Sequence, residues 1–268
     1  MLKNMANLFV AYRAREKSTP RLMMVKATFC ALLLLFSVSA CSQSHRTAEV
    51  EWVIDGDTLQ LQGGERIRLL GINAPEQERE DQPAEPFSLE AKLALQEWLQ
   101  GKKIKIYEGV ESRDRYNRTL AYVETIEGDD IQLDLISRGY AYAIAIPPNI
   151  ERSEQYFAAE DRARQGKLGL FSDSDSQILN LSQSRRWQSG FVFGEGYVEE
   201  VFDTQKFVNL RLSKNFLIKI SVKNWQQYWP GIQSSQFLGK KVQVRGWVSV
   251  KNQSARIFIG HPLMMKIQ

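Results

Sequence analysis

The sequence predicts a mainly β protein with helices, of the α+β class. A five-stranded barrel of the OB type with three helices is expected first, followed by a second, smaller OB-like β-barrel domain. Two observations predict this fold. Short runs of β-branched and aromatic residues are separated by turn signals such as Asp55-Gly56 and Gly63-Gly64. A Ser-rich polar segment then divides these runs into two groups, and each group also contains a helical pattern.

Local patterns place the elements of the first barrel. Strands are predicted at 50–54, 58–61, 67–70, 103–107 and 119–125. Ser88 can cap a helix over 88–100, Asp130 can cap a second over 131–138, and a third is expected at about 151–165. Each of these helices is followed by a glycine, which commonly ends a helix.

The second barrel is predicted from strand-like runs at 196–202, 207–212, 217–222, 241–250 and 256–259, with a helix within 225–238. The expected domains are therefore a signal peptide (1–40), a tether (41–48), the first barrel (49–172), a Ser-rich linker (173–189) and a basic second barrel (190–268).

Composition limits the classes of protein and site. The chain has 268 residues, of which 43% are hydrophobic, and this excludes disordered and fibrous proteins. Its only histidines are His45 and His261, and its only cysteines are Cys30 and Cys41. These numbers are too small for a His-rich metal centre, a zinc ribbon or a disulfide scaffold. A catalytic metal would therefore need oxygen ligands.

Charge is divided unevenly along the chain. The formal net charge is +4, but residues 1–40 carry +5, residues 46–172 carry −8 and residues 173–268 carry +7. A domain with a net charge of −8 repels polyanions, so the C-terminal segment is the part whose charge favours them.

The N-terminal segment has the pattern of an export signal. Basic residues precede an apolar run of 14 residues at 27–40, which is shorter than the ~20 residues of a membrane-spanning helix. Val38-Ser39-Ala40-Cys41 resembles the lipobox of bacterial lipoproteins, which implies lipidation of Cys41 after cleavage. The protein would then be exported and anchored to the cell envelope. It would face the periplasm at the outer membrane if Gram-negative, and otherwise lie on the outer face of the cell membrane. An ordinary secretory signal is the alternative, and Met23 or Met24 could replace Met1 as the start.

Three segments of the first barrel carry the chemistry when they are taken together: 55–58 (DGDT), 68–76 (RLLGINAPE) and 114–122 (DRYNRTLAY). Alone, each is ordinary, since Asp-Gly is first a hairpin turn and a basic run is usually a solvated surface. In this order, on barrel-like strands, they resemble the staphylococcal nuclease (thermonuclease) family from about residue 50 to residue 172.

The resemblance implies a Ca²⁺-dependent endonuclease that hydrolyses phosphodiester bonds of DNA and RNA and leaves 3′-phosphate ends. Such a reaction needs an in-line water and stabilisation of charge on the phosphate, for which acids, arginines and a hard cation suffice. The implied roles are metal ligation by Asp57, Asn73 and the carbonyl of Ala74, with Asp55 behind them; general base catalysis by Glu76; phosphate binding by Arg68 and Arg118; and substrate contact by Tyr116 and Arg115.

The sequence departs from the family pattern at two places. Asn73 stands where the family has a second metal-binding carboxylate, so weaker Ca²⁺ binding is expected. The family's pair of tyrosines aligns with Ile144 and Ile146, while Tyr140 and Tyr142 lie just upstream.

The basic second domain has two interpretations. Its lysines and arginines are interleaved with Phe207, Phe216, Trp225 and Trp247, as in OB barrels that bind single-stranded nucleic acid, so we hypothesise that it holds the substrate. Alternatively, Phe207, Phe216 and Trp247 form the core, and the lysines solubilise the barrel or face acidic lipid.

Two further classes of function stay open at this point. One is a catalytically weak or inactive nucleic-acid-binding lipoprotein of the envelope, and the other is an envelope scaffold that meets lipid or polyanionic wall polymers. No protein partner is predicted, and a monomer is expected.

Overall fold

The structure is a computed structural model that describes residues 44–78, 83–172, 178–183 and 186–268. Contacts divide the chain into two units, Met1–Ser44 and His45–Gln268, and the elements below all lie in the second. The expected signal peptide and Cys41 fall outside the described residues. Within the described ranges, no helix is both long and apolar enough to cross a membrane.

The described residues up to Phe171 contain seven strands and three helices, followed by a 3₁₀ turn at Gly169–Phe171. In chain order these are β1 (Arg46–Asp55), β2 (Thr58–Leu61), β3 (Arg66–Leu69), β4 (Ile72–Asn73), α1 (Ser88–Leu99), β5 (Lys103–Arg113), β6 (Thr119–Thr125), α2 (Ile131–Ser137), β7 (Tyr142–Ala143) and α3 (Ser153–Gln165).

Five of these strands form a closed barrel in the order β1-β2-β3-β6-β5. Neighbours are antiparallel except β3 and β6, which are parallel. The short strands β4 and β7 form a separate antiparallel pair in which Asn73 lies opposite Tyr142. The five-stranded barrel with three helices is thereby confirmed.

Local sequence explains where several elements begin. Asp55 pairs directly with Thr58, so β1 and β2 are joined by a two-residue turn. The carboxylate of Asp130 accepts a hydrogen bond from the backbone N–H of Leu133 and caps α2, as predicted. The prediction that Ser88 caps α1 is wrong. The backbone N–H of Ser88 already bonds to the carbonyl of Glu85, and the N-cap position belongs to the preceding residue, Phe87.

The remaining described residues contain eight strands, one helix, and 3₁₀ turns at Ser234–Phe237 and Pro262–Met264. The strands and helix are β8 (Ile178–Asn180), β9 (Gly190–Tyr197), β10 (Glu200–Asp203), β11 (Phe207–Ser213), β12 (Phe216–Ser221), α4 (Val222–Tyr228), β13 (Lys241–Lys251), β14 (Ser254–Phe258) and β15 (Met265–Ile267).

These strands form one sheet in the order β10-β11-β12-β14-β13-β9-β8, and β15 also pairs with β13. Strands β9 and β10 are consecutive in the chain but lie towards opposite ends of this order. Strand β9 pairs with β13, and β10 pairs with β11. The strand order resembles that of the first barrel, including a parallel pair, β12 with β14, and a helix, α4, that directly follows β12. A second β domain follows the first, as predicted. Its described strands form one sheet, and the closed barrel that was expected here stays a prediction.

Three segments differ from the prediction. Strand β1 begins at Arg46, inside the expected tether. The expected linker contains β8, which pairs with β9. Two other residues of this linker segment, Leu181 and Trp187, are buried. The helix expected within 225–238 is split, because α4 ends at Tyr228 and Pro230 follows.

The first barrel and this second domain, called the second barrel below because of its OB-like strand order, share one hydrophobic core and a buried ion pair. Arg245 on β13 lies 2.6 Å from Glu160 on α3, and both side chains are almost fully buried. Glu160 also accepts a hydrogen bond from the backbone N–H of Ala143, and Arg245 donates to the carbonyl of the same residue. Buried charges require such partners. The second barrel is thus bonded to β7, the strand that pairs with β4.

Candidate active site

The site is built around the turn between β1 and β2. A Cβ atom at Gly56 would lie 2.6 Å from the Cβ of Ala74, so the close approach of this turn to the segment after β4 requires glycine. The carboxylate of Asp55 accepts a hydrogen bond from the backbone N–H of Asp57 and fixes the turn. Asp57 is therefore held at the edge of the barrel, facing Ala74.

Asp57 is buried and accepts hydrogen bonds from three groups. Its Oδ2 atom lies 3.0 Å from the backbone nitrogen of Ala74 and 2.9 Å from Nη2 of Arg68. Its Oδ1 atom accepts from the hydroxyl of Thr58 at 3.1 Å. Burial raises the pKa of Asp57 to about 6, although the Arg68 guanidinium opposes this shift. The carboxylate is thus held in surroundings that disfavour its negative charge.

Two arginines are connected to this carboxylate, Arg68 directly and Arg118 through Thr58. Besides Asp57, Arg68 binds the carbonyls of Leu69 and Ile72 through Nη1, and these bonds fix its guanidinium. Arg118 reaches the same network through Thr58, whose hydroxyl lies 3.3 Å from Nη1 of Arg118. Residues from β2, β3 and the segment before β6 therefore form one connected cluster.

Asp114 orients Arg118. Its carboxylate accepts from the backbone N–H of Arg118 and lies 2.8 Å from the arginine Nε. Burial opposes ionisation of Asp114, but the bonds from Arg118 outweigh it and lower the pKa of this carboxyl.

The segment after β4 carries the other predicted site residues. Asn73 and Ala74 are buried, and Glu76 follows them with an exposed side chain. Glu85 holds the backbone of Glu76 through two hydrogen bonds. The Glu85 carboxylate accepts from the backbone N–H of Glu76, and the backbone N–H of Glu85 donates to the carbonyl of Glu76. Ala74 is bonded directly to Asp57, so the predicted metal-ligating segment and the predicted metal-ligating carboxylate are adjacent.

The donors present match a calcium site in kind. Asp57, Asn73 and the carbonyl of Ala74 offer carboxylate, amide and backbone oxygens, which Ca²⁺ accepts. Only one of the three carries a charge. Among the described residues, no group of three or more His, Cys, Asp or Glu side chains is placed to hold a metal.

Arg115 and Tyr116 lie on the exposed turn between β5 and β6, beside the cluster. Nη2 of Arg115 donates to the hydroxyl of Tyr116 at 2.7 Å, and the guanidinium of Arg118 lies 5.6 Å from the centre of the Tyr116 ring. Of the two residues aligned with the family's tyrosines, Ile144 is buried and Ile146 is half exposed.

Sequence reasoning missed the residues that link the others. Thr58 and Asp114 lie inside the sequence motifs, but the motifs alone do not predict that these residues hold Arg118. The only local signal was the spacing of four residues between Asp114 and Arg118. Glu160 and Arg245 also escaped notice, because nothing local indicates a pairing across 85 residues of sequence.

Comparisons with known proteins show which proteins the chain is similar to. The family model described as staphylococcal nuclease homologue matches residues 66–173. A thermonuclease of Staphylococcus hyicus is 27% identical over 169 residues, which cover 59% of this chain and 99% of that protein. A thermonuclease of Staphylococcus intermedius is 31% identical over 46% of this chain and 74% of its own length. Endonuclease YhcR of Bacillus subtilis is 33% identical over 47% of this chain but only 11% of its own length.

Proposed function

Because the chain belongs to the staphylococcal nuclease homologue family, we propose that it is a Ca²⁺-dependent endonuclease that cleaves phosphodiester bonds of DNA and RNA and leaves 3′-phosphate ends. The observation that carries the proposal is the hydrogen-bonded cluster of Asp57, Arg68 and Arg118, joined through Thr58. Two oriented guanidinium groups beside a buried carboxylate suit a reaction in which negative charge develops on phosphate oxygens.

The arginines retain donors for a substrate. A guanidinium has five N–H groups. The bonds described to Asp114 and Thr58 use two of those on Arg118, and the bonds to Asp57, Leu69 and Ile72 use three of those on Arg68. The remaining N–H groups can bind phosphate oxygens while the protein contacts hold both side chains in place.

Glu76 is proposed as the general base. Its side chain is exposed, and it follows Ala74, the residue bonded to Asp57, by two positions. A carboxylate in such a position can accept a proton from an attacking water. The two hydrogen bonds between the backbone of Glu76 and Glu85, one to the Glu85 carboxylate and one from its backbone N–H, fix the segment that carries it.

Asp57, Asn73 and the carbonyl of Ala74 are the residues proposed to hold Ca²⁺. When bound, the ion would supply positive charge that stabilises the phosphate oxygens. Because the set has one carboxylate, Asn73→Asp should tighten Ca²⁺ binding. The measurement is the rise of Tm with added Ca²⁺, which depends on affinity and needs no substrate. A weaker response than that of the wild type would show that Asn73 does not lie near the ion.

We further propose the domain plan given above, with export and a lipid anchor on Cys41. Several acyl chains would hold the protein firmly, whereas one chain anchors only marginally. The test is the distribution of the protein after cell fractionation. Wild type should stay with membranes and Cys41→Ser should be released; equal release of both would contradict the anchor.

Digestion of plasmid DNA by the purified protein, in Ca²⁺ and in chelator, tests the central proposal. Degradation in Ca²⁺ that stops in chelator is the expected result. The second candidate, an inactive nucleic-acid-binding lipoprotein, is favoured by the missing carboxylate at Asn73, and it predicts retention of plasmid with no degradation in either condition.

A further inference from the structure

A cavity of about 240 Å³ lies outside the cluster of Asp57, Arg68 and Arg118. Its walls come from both barrels. Ile146 and Pro147, shortly after β7, form one side, and the second barrel contributes Phe207, Lys219, Trp247 and Phe258. The cavity is thus mainly apolar and has a lysine in its wall.

Strand register places the lining side chains of the second barrel on one outer face of its sheet. Lys219 on β12 lies opposite Phe258 on β14, and Arg256 lies two residues before Phe258 on the same face. The rings of Phe207 and Phe258 are 5.9 Å apart in an edge arrangement, and Nζ of Lys219 is 4.0 Å from the centre of the Phe207 ring. The face therefore combines aromatic rings with two cationic side chains.

Burial separates these residues from the core of the same barrel. Phe216 is 1% exposed and belongs to the core, so the sequence-based suggestion of a substrate role for Phe216 is not supported. Trp247 is 41% exposed and Phe258 is 53% exposed. A cluster of exposed aromatic side chains around a cavity is characteristic of a binding surface rather than of packing.

We propose that this cavity binds a base of single-stranded nucleic acid, with Lys219 and Arg256 on the neighbouring phosphates. The proposal rests on the proposed nuclease function. Stacking on aromatic rings beside cationic groups is how single strands are bound without sequence preference. The charge is complementary as well, because residues 190–268 carry 11 basic and four acidic residues, a net charge of +7.

The cavity also lies close to the cluster along the chain. Tyr142 pairs with Asn73, and Ala145, which lines the cavity, follows Tyr142 by three residues. Three residues span at most about 11 Å. The cavity therefore lies a short distance from the segment that carries the proposed metal ligand Asn73.

The test uses the full chain and a fluorescently labelled single-stranded oligothymidylate in chelator, with the oligonucleotide checked by electrophoresis for integrity afterwards. Phe258→Ala should raise Kd about fivefold or more, which corresponds to the loss of one stacked base. Lys219→Gln should weaken binding and reduce its salt dependence. The matched controls are Tyr197→Ala, an exposed aromatic on β9, and Lys240→Gln, an exposed lysine just before β13 at the end of the sheet near Tyr197; both should bind like the wild type.

Unchanged Kd values for both cavity variants would overturn the inference, even if plasmid is still degraded. Weaker oligonucleotide binding in these variants alone supports it, even if no degradation occurs and the nuclease proposal fails. Vesicles of anionic phosphatidylglycerol provide the last arm. If the substitutions weaken vesicle binding and leave oligonucleotide binding unchanged, the cavity face is a lipid surface and the inference is wrong.

Discussion

The guanidinium of Arg118 is oriented before substrate arrives, because Asp114 binds its Nε and Thr58 binds its Nη1. Removing one preorganised donor from a transition state costs about 10²-fold or more in turnover. Arg118→Ala should therefore lower kcat by that factor, and Glu76→Gln should do the same by removing the proposed base. The measurement is kcat for oligonucleotide cleavage. Arg66→Ala, an exposed arginine on β3, is the matched control; wild-type turnover in Arg118→Ala would contradict the role.

Asp57 should make the stability of the metal-free protein depend on pH. Burial raises its pKa from 3.8 to about 6, so the folded state binds a proton that the unfolded chain has released. Stability from this group is therefore lost as pH rises, by about 2 to 3 kcal/mol between about pH 4 and about pH 7. Denaturant unfolding of wild type and Asp57→Asn measures it. The variant should lack this decline, and parallel pH profiles would refute the assignment.

At the residue scale, sequence motifs predict the charged residues of the cluster but not the hydrogen bonds that join them. Asp57, Arg68 and Arg118 were assigned from motifs that resemble a known family. The bond between Arg118 and Thr58 joins positions 60 residues apart, and only the closed barrel brings them together. The same limit applies to Asp114, whose effect on Arg118 depends on the geometry of one turn.

At the scale of elements, the contact of β13 with α3 and β7 determines how the two barrels support each other. Arg245→Met would leave Glu160 buried with one of its charged partners removed, while Arg164 remains. Removing one member of a buried ion pair costs about 3 to 5 kcal/mol. The free energy of unfolding should fall by about that amount, and the double variant Arg245→Met/Glu160→Gln should lose less than the sum of the single changes.

An exposed ion pair across the same two barrels provides the control. Lys266 on β15 lies 3.8 Å from Asp161 on α3, and both side chains are about half exposed. Such pairs contribute about 0 to 1 kcal/mol, so Lys266→Met should leave stability nearly unchanged. Equal losses in Lys266→Met and Arg245→Met would show that the buried pair has no special weight.

Elements were predictable where a local pattern determines them. The alternation of buried Leu59 and Leu61 on β2, like the cap at Asp130, is visible in the sequence. Strand β8 was not, because its three residues become a strand only by pairing with β9. Tertiary contact therefore converts part of the predicted linker into sheet.

At the scale of the whole molecule, the two barrels differ in the sign of their net charge but pack against each other through a common core. Residues 46–172 carry −8 and residues 190–268 carry +7, which suggested two modules with divided tasks. The described residues from His45 onwards nevertheless form one unit with a continuous core. Deleting residues 190–268 would expose Glu160 and much apolar surface, so loss of activity in such a fragment would report unfolding. Substitution of surface charges in the full chain is the better test of electrostatics.

Because the two barrels share a core, we expect residues 45–268 to unfold in one cooperative transition. Two barrels on a flexible linker would melt independently, whereas barrels that share buried side chains and the pair of Arg245 with Glu160 lose both sets of contacts together. Calorimetry of the metal-free protein should give a ratio of calorimetric to van't Hoff enthalpy of about 1. Lys266→Met should keep that ratio. Two resolved transitions in the wild type would mean that the interface contributes too little to couple the barrels, and that the second barrel does not stabilise β7 and its partner strand β4.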